Sequence, residues 1–182
     1  MLVAILLGVN LLYFNLLGLL VLNNFGGVEA DIALFSGGVA LVEIPIMLSG
    51  AIILRYISKS SLLLISSIVY AGFLWGLGSA TSMDQVWWLM LPAGLSAGFI
   101  LTVTLGFVQD LKPNNPGLGG ALVSVAHFTS KLWMAAIFAT GTMISDYAGT
   151  AWLGAGVGLL AAVILFLITK DQATSQQATS EN

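Results

Sequence analysis

The sequence predicts an all-α membrane protein, with six transmembrane helices arranged as two inverted three-helix units. Three observations lead there. Hydrophobic residues make up 58% of the 182 and charged residues 7%. A soluble domain carries about 25% charge, so this chain could not cover a water-facing surface. Six apolar stretches, near 2–22, 32–54, 61–80, 87–110, 120–145 and 151–169, each approach or exceed the ~20 residues a bilayer crossing needs. The breaks between them hold turn-forming residues. Mean hydropathy is +1.02. The net charge of -3 is too small to suggest a nucleic-acid partner, and with no cysteine there is neither a disulfide framework nor a thiolate metal site. No cofactor is expected.

The first stretch could be mistaken for a signal peptide, since Val28-Glu29-Ala30 offers small residues at a cleavage spacing. It is longer than an h-region of about 7 to 15 residues, and no Lys or Arg precedes Arg55, so it reads as a spanning helix. Met1 lies directly against it, which suggests a chain that begins inside a larger architecture. Asn10 and Tyr13 share one face of this helix, and Asn15 points away from it.

Asn23-Asn24-Phe25-Gly26-Gly27 turns the chain into the second stretch. There Ser36, Val39, Ala40, Glu43, Met47 and Gly50 share a face. Pro45 cannot donate to the carbonyl one turn earlier, which weakens the helix beside Glu43. A carboxylate at mid-depth costs roughly 2.5 to 3.5 kcal/mol on an insertion scale. Such a residue is expected to face a polar path, where it can act as a protonation switch. The structural alternative is a neutral or paired Glu that fixes helix packing.

The third stretch carries no charge and reads as peripheral. The fourth presents Gly98, Thr102 and Gln109 on one face and also holds Thr104. With Asn10 and Tyr13, these amides and hydroxyls suit a polyol, because they donate and accept without net charge. Hydrogen bonding between helices is the competing role. Gly72-xxx-Gly76, Gly94-xxx-Gly98 and Gly154-xxx-Gly158 read as close-packing sites. Gly94-Leu95-Ser96-Ala97-Gly98 also matches the nucleophile-elbow string. That elbow needs a strand-to-helix turn, and here the string lies inside a spanning helix, so no enzyme is read from it.

Pro113-Asn114-Asn115-Pro116-Gly117 precedes the fifth stretch, whose polar stripe is Ser124, His127, Lys131 and Thr142. His127 and Lys131 are one turn apart, so protonating one disfavours protonating the other. They are expected to line a cavity wall that binds cargo or handles protons; the alternative is a structural pair with Lys131 answering a carboxylate elsewhere. Trp133 lies roughly opposite Lys131 and is expected to pack or touch lipid. Asp146-Tyr147-Ala148-Gly149 leads to the uncharged sixth stretch. The bundle is taken as residues 1–170. Residues 171–182, which repeat Gln-Ala-Thr-Ser, read as a polar disordered cytoplasmic tail.

Arg55, Lys59, Lys112 and Lys170 fall on one side of this arrangement, and Glu29, Asp31, Asp84 and Asp146 on the other. The basic side is expected to be cytoplasmic, with both termini inside and Trp75, Trp87, Trp88 and Trp152 toward the outer interface. Glu43 is twelfth in the second stretch and Lys131 twelfth in the fifth. That equivalence fits inverted 3+3 units with sites near the midplane.

With those residues on the page, the chain resembles one half of a major facilitator superfamily transporter. The loop from Gly50 through Arg55 to Lys59 looks like a worn copy of that superfamily's Gly…Asp-Arg…Gly…basic motif, with Leu54 for the Asp and Ile57 for the Gly. Glu43-Ile44-Pro45-Ile46-Met47-Leu48-Ser49-Gly50, Phe107-Val108-Gln109-Asp110-Leu111-Lys112-Pro113 and Thr129-Ser130-Lys131 are similar to segments of bacterial sugar efflux transporters. The resemblance implies the C-terminal six-helix half of such a protein in the bacterial inner membrane. It also implies export of sugars or glycosides by proton antiport. A complete member has twelve helices, so an N-terminal half or a second copy is the expected partner. Within transport, a drug or other small-molecule antiporter is the runner-up; outside it, a non-transporting six-helix interaction subunit.

Overall fold

The computed structural model describes residues 1–110 and 116–180. They form six helices: α1 (Leu2–Asn23), α2 (Glu29–Ile53), α3 (Lys59–Ser79), α4 (Met83–Trp88), α5 (Met90–Asp110) and α6 (Pro116–Ser180). There is no strand among the described residues. Five of the helices are long and apolar enough to cross a membrane, which agrees with a membrane protein.

Two boundaries depart from the sequence reading. The fourth stretch is divided, with Trp87 and Trp88 in the short α4 and α5 starting at Met90. Pro92 sits in the first turn of α5, where a missing N–H costs nothing. The last two stretches are written as one helix, but its backbone is broken at Ser145 (φ -164°, ψ 63°) and Asp146 (φ 47°, ψ -143°). The positive φ of Asp146 is one that Asp tolerates better than most residues. The break divides α6 into arms 116–144 and 147–180. Its backbone continues past Lys170 to Ser180, through the stretch that composition assigns to a tail. Lys112 and most of the predicted Pro113–Gly117 turn lie outside the described residues.

Local chemistry fixes the other ends. Gly26 takes φ 67° in the first turn, a conformation glycine adopts without strain. Asp31 then accepts from the Val28 N–H at 2.9 Å, placing a carboxylate at the positive end of α2. Ser58 caps α3 by accepting from the Ser61 N–H at 3.2 Å.

α1 is the hub of the bundle. It packs on α2, α5 and α6, while α3 packs on α5 and α6, and α2 packs chiefly on α5. In the best apolar window of α1, 61% of residues are buried inside the bundle; for α2 the share is 11%. Leu12, Leu16 and Leu17 of α1 meet Phe73, Leu74 and Leu77 of α3 in the core.

The glycine pairs show how closely the helices approach. A Cβ on Gly94 or Gly98 would sit 2.6 Å from Val42 Cβ or 3.0 Å from Ile46 Cγ2, so α5 rides directly on α2. Gly154 and Gly158 meet Leu12 and Val9, placing the second arm of α6 on α1. Gly8 meets Ser130, Trp133 and Met134 of the first arm, and Gly78 meets Ala148, Ala151 and Trp152 of the second. Gly76 faces Leu89. Gly72 has nothing within 4 Å and is not a close-packing site.

The two ends of the bundle are distinct. At one, Gly27 approaches Met83, the Trp75 and Trp152 rings lie 5.8 Å apart, and Trp152 Nε1 donates to Ser79 Oγ at 3.3 Å. At the other, Lys59 pairs with Asp110. Trp75, Trp87, Trp88 and Trp152 therefore lie toward the end away from Lys59.

Candidate functional site

Glu43 is half-buried, and its own carbonyl lies against Gly98 of α5. Its carboxylate is close enough to Tyr13 of α1 and Tyr70 of α3 to interact with both electrostatically. The electrostatic neighbours of Glu43 thus come from α1 and α3. Pro45 is inside α2, two residues on, so the Leu41 carbonyl lacks its usual helical donor.

An aromatic group supports this cluster. Tyr13 and Phe73 stand edge to face with centroids 5.9 Å apart, and Tyr70 lies 5.4 Å from Phe73. Tyr13 and Tyr70 are both 2% exposed. The Tyr70 hydroxyl donates to the Asn10 carbonyl at 2.9 Å, tying α3 to α1 at the level of the cluster. The Asn10 side chain is buried as well, and its Nδ2 meets no acceptor among the described residues. An unpaired buried donor costs about 1 to 3 kcal/mol, so α1 holds a buried free hydrogen-bond donor one turn before Tyr13.

The remaining predicted residues are elsewhere. Lys131 is exposed on the outer face of the first α6 arm, with Phe128 and Leu132 exposed beside it. His127 is half-buried one turn away, and its carbonyl accepts from Ser130 Oγ at 2.7 Å. Gln109 is exposed near the end of α5. Tyr13 lies within electrostatic reach of Glu43, Asn10 is buried one turn before Tyr13 on α1, and Lys131, His127 and Gln109 lie on α6 and α5. Glu43 and Lys131 do not pair, and neither meets an ion-pair partner among the described residues. Trp133 packs against Gly8, on the covered side of its helix.

The hydroxyls turn inward on their own helices. Thr102 donates to the Gly98 carbonyl at 2.8 Å, Ser124 to Gly120 at 3.2 Å, and Thr104 to Ile100. Ser96 likewise donates within α5, to Ala93 at 3.2 Å. Each of these hydroxyls thus spends its donor within its own helix. Asn15 is exposed, and its Nδ2 points to the Met134 sulfur at 3.2 Å.

Sequence reasoning missed two features. α3, peripheral on the ground that it carries no charge, buries Tyr70 and Ser67, and Ser67 Oγ has no partner among the described residues. Polar, uncharged residues at helical spacing were the available signal. The Lys59–Asp110 pair joins the α2–α3 turn to the end of α5; its partners are 51 positions apart, and nothing local announces it. Near that end an open cleft of about 700 Å³ lies between the start of α1, the end of α5 and both arms of α6. Its lining is apolar apart from Thr129 and excludes Glu43 and Lys131. No family model, curated protein or solved structure matches this chain.

Proposed function

We propose that the chain is one six-helix wall of a sugar efflux transporter of the major facilitator type, working by proton antiport in a bacterial inner membrane with both termini cytoplasmic. The observation that carries this reading is the half-buried carboxylate of Glu43 in α2, within electrostatic reach of the buried Tyr13 and Tyr70. A charge held there is expensive in a bilayer, and such groups mark ion and substrate paths. Tyr and Asn side chains can exchange hydrogen bonds with a polyol as it passes. Glu43 takes and releases the proton, and the helix weakened at Pro45 accommodates the change.

Support for two inverted units comes from the packing pattern. Let α1, α2 and α3 correspond to α5 and the two arms of α6. The α1 contact with the first arm then mirrors the α5 contact with α2, and the α1 contact with the second arm mirrors the α5 contact with α3. The α3 contact with the second arm maps onto itself. Inverted units with a site at mid-depth are a transporter pattern. A single wall cannot alternate access, so transport requires a second wall.

The apolar lining of the large cleft favours a second reading, in which the cargo is an apolar small molecule. One experiment addresses both. Vesicles carrying the assembled chain are loaded with labelled lactose or a lipophilic cation, and a proton gradient is imposed. Gradient-accelerated release of lactose supports the sugar reading. Release of the cation alone supports the second, and release of neither contradicts transport.

A further inference from the structure

Two flanks of the bundle lack protein cover. On α2, Ala40, Ile44 and Leu48 are exposed; on the first arm of α6, Phe128, Leu132 and Ala135 are. Each flank carries one charge without a partner among the described residues, Glu43 on α2 and Lys131 on the arm. Their signs are opposite. Their depths agree as well: at 1.5 Å per residue, Glu43 is roughly 21 Å from the Glu29 end of α2, and Lys131 roughly 21 Å from the break at Ser145. Those two ends lie on the same side of the bundle, so the helices run in opposite directions. Within one copy α2 packs chiefly on α5 and the first arm packs on α1, so the two flanks do not cover each other.

We infer that α2 and the first arm of α6 form a self-complementary dimer surface, in which Glu43 of one copy pairs with Lys131 of a second copy, twice per dimer. A two-fold axis along the membrane normal brings each flank against the opposite flank of its mate, the isologous arrangement of most symmetric dimers. Lipid could cover the apolar residues but would leave both charges unanswered at mid-depth. A second copy answers both at once. Ala40 and Ala135 are small, which allows the two backbones to approach closely. This inference deepens the proposed function, because the second copy supplies the missing wall; the dimer itself is tested without any transport readout.

The chain has no cysteine, so single cysteines report on the contact directly. Copies carrying Ala40→Cys and copies carrying Ala135→Cys, differently tagged, are mixed in bilayers and oxidised. Both positions lie one turn from the charged pair toward the same end. The expected result is a disulfide between the two kinds of copy, and a dimer mass for the unmodified chain. Glu43→Lys alone or Lys131→Glu alone should weaken dimerisation tenfold or more, and the two changes together should restore it. Helix content and thermal midpoint verify that each variant folds. If a single reversal fails to fold, Glu43→Gln with Lys131→Met replaces it, and this pair should dimerise more tightly than either neutral change alone. A monomer at every protein density overturns the inference. So does a dimer indifferent to single charge changes, or cross-linking between Ala40→Cys copies only. A sound dimer that moves no cargo sinks the transport reading and leaves this one standing.

Discussion

The hairpin inside α6 yields the sharpest stability prediction. Gly141 and Thr150 face one another across the break at Ser145 and Asp146, and both are buried. A Cβ on Gly141 would lie 2.7 Å from Thr150 Oγ1 and 2.8 Å from its backbone N, and nearer still to its Cα. Two of those atoms are backbone, so no rotamer change relieves the clash. The arms must part by about 0.7 Å or more for Gly141→Ala to be accommodated, and overpacking of this kind costs about 1 to 3 kcal/mol. With Thr150 fully buried, the upper part of that range applies. At the roughly 2 to 4 °C per kcal/mol of a soluble domain this long, the midpoint should fall by about 5 to 12 °C. The assay is thermal unfolding in mild detergent, followed by circular dichroism. Gly37→Ala is the control: it lies in α2 with nothing within 4 Å, and replacing glycine by alanine in a helix gains up to about 1 kcal/mol. Equal midpoints for the two variants would refute the reasoning, because the arms would then not approach at Gly141.

Two further outcomes are expected. Tyr70→Phe removes the hydroxyl that joins α3 to the Asn10 carbonyl, and a bond of this kind contributes about 0.5 to 1.5 kcal/mol; an unchanged midpoint in the same assay would remove that tie from the account. A reporter fused after Lys59 should read cytoplasmic and one in the Glu29 or Asp146 turn periplasmic, and inverted readings would reverse the proposed orientation.

Much of the architecture was legible because spanning helices announce themselves by length and hydropathy. The break near Asp146-Tyr147-Ala148-Gly149 was legible too, since turn residues interrupt an apolar run. The split between α4 and α5 was not, because Trp87, Trp88 and Leu89 continue the hydrophobic run while the backbone changes course. At the site, helical spacing placed Asn10 and Tyr13 on one face; both are buried, and Tyr13 lies within electrostatic reach of Glu43. Periodicity could not say which helices are neighbours. It therefore left open whether Lys131 touches Glu43, and the structure packs α2 chiefly on α5 and the first α6 arm on α1. It also passed over Tyr70, since a tyrosine in an apolar run carries no charge to mark it. Gly72 shows the same limit: the small-xxx-small spacing is met, yet no neighbour occupies that face.

The central claim is that a transport path runs past Glu43, and one comparison tests it most directly. Vesicles are prepared with the unmodified chain and with Glu43→Gln, at protein densities where both are assembled, and release of labelled lactose is followed with and without a proton gradient. The amide has the shape of the carboxyl group but cannot take up the proton. The account predicts that the gradient accelerates release through the unmodified chain, and that Glu43→Gln abolishes the acceleration while downhill exchange stays measurable. Full gradient acceleration in Glu43→Gln would contradict it.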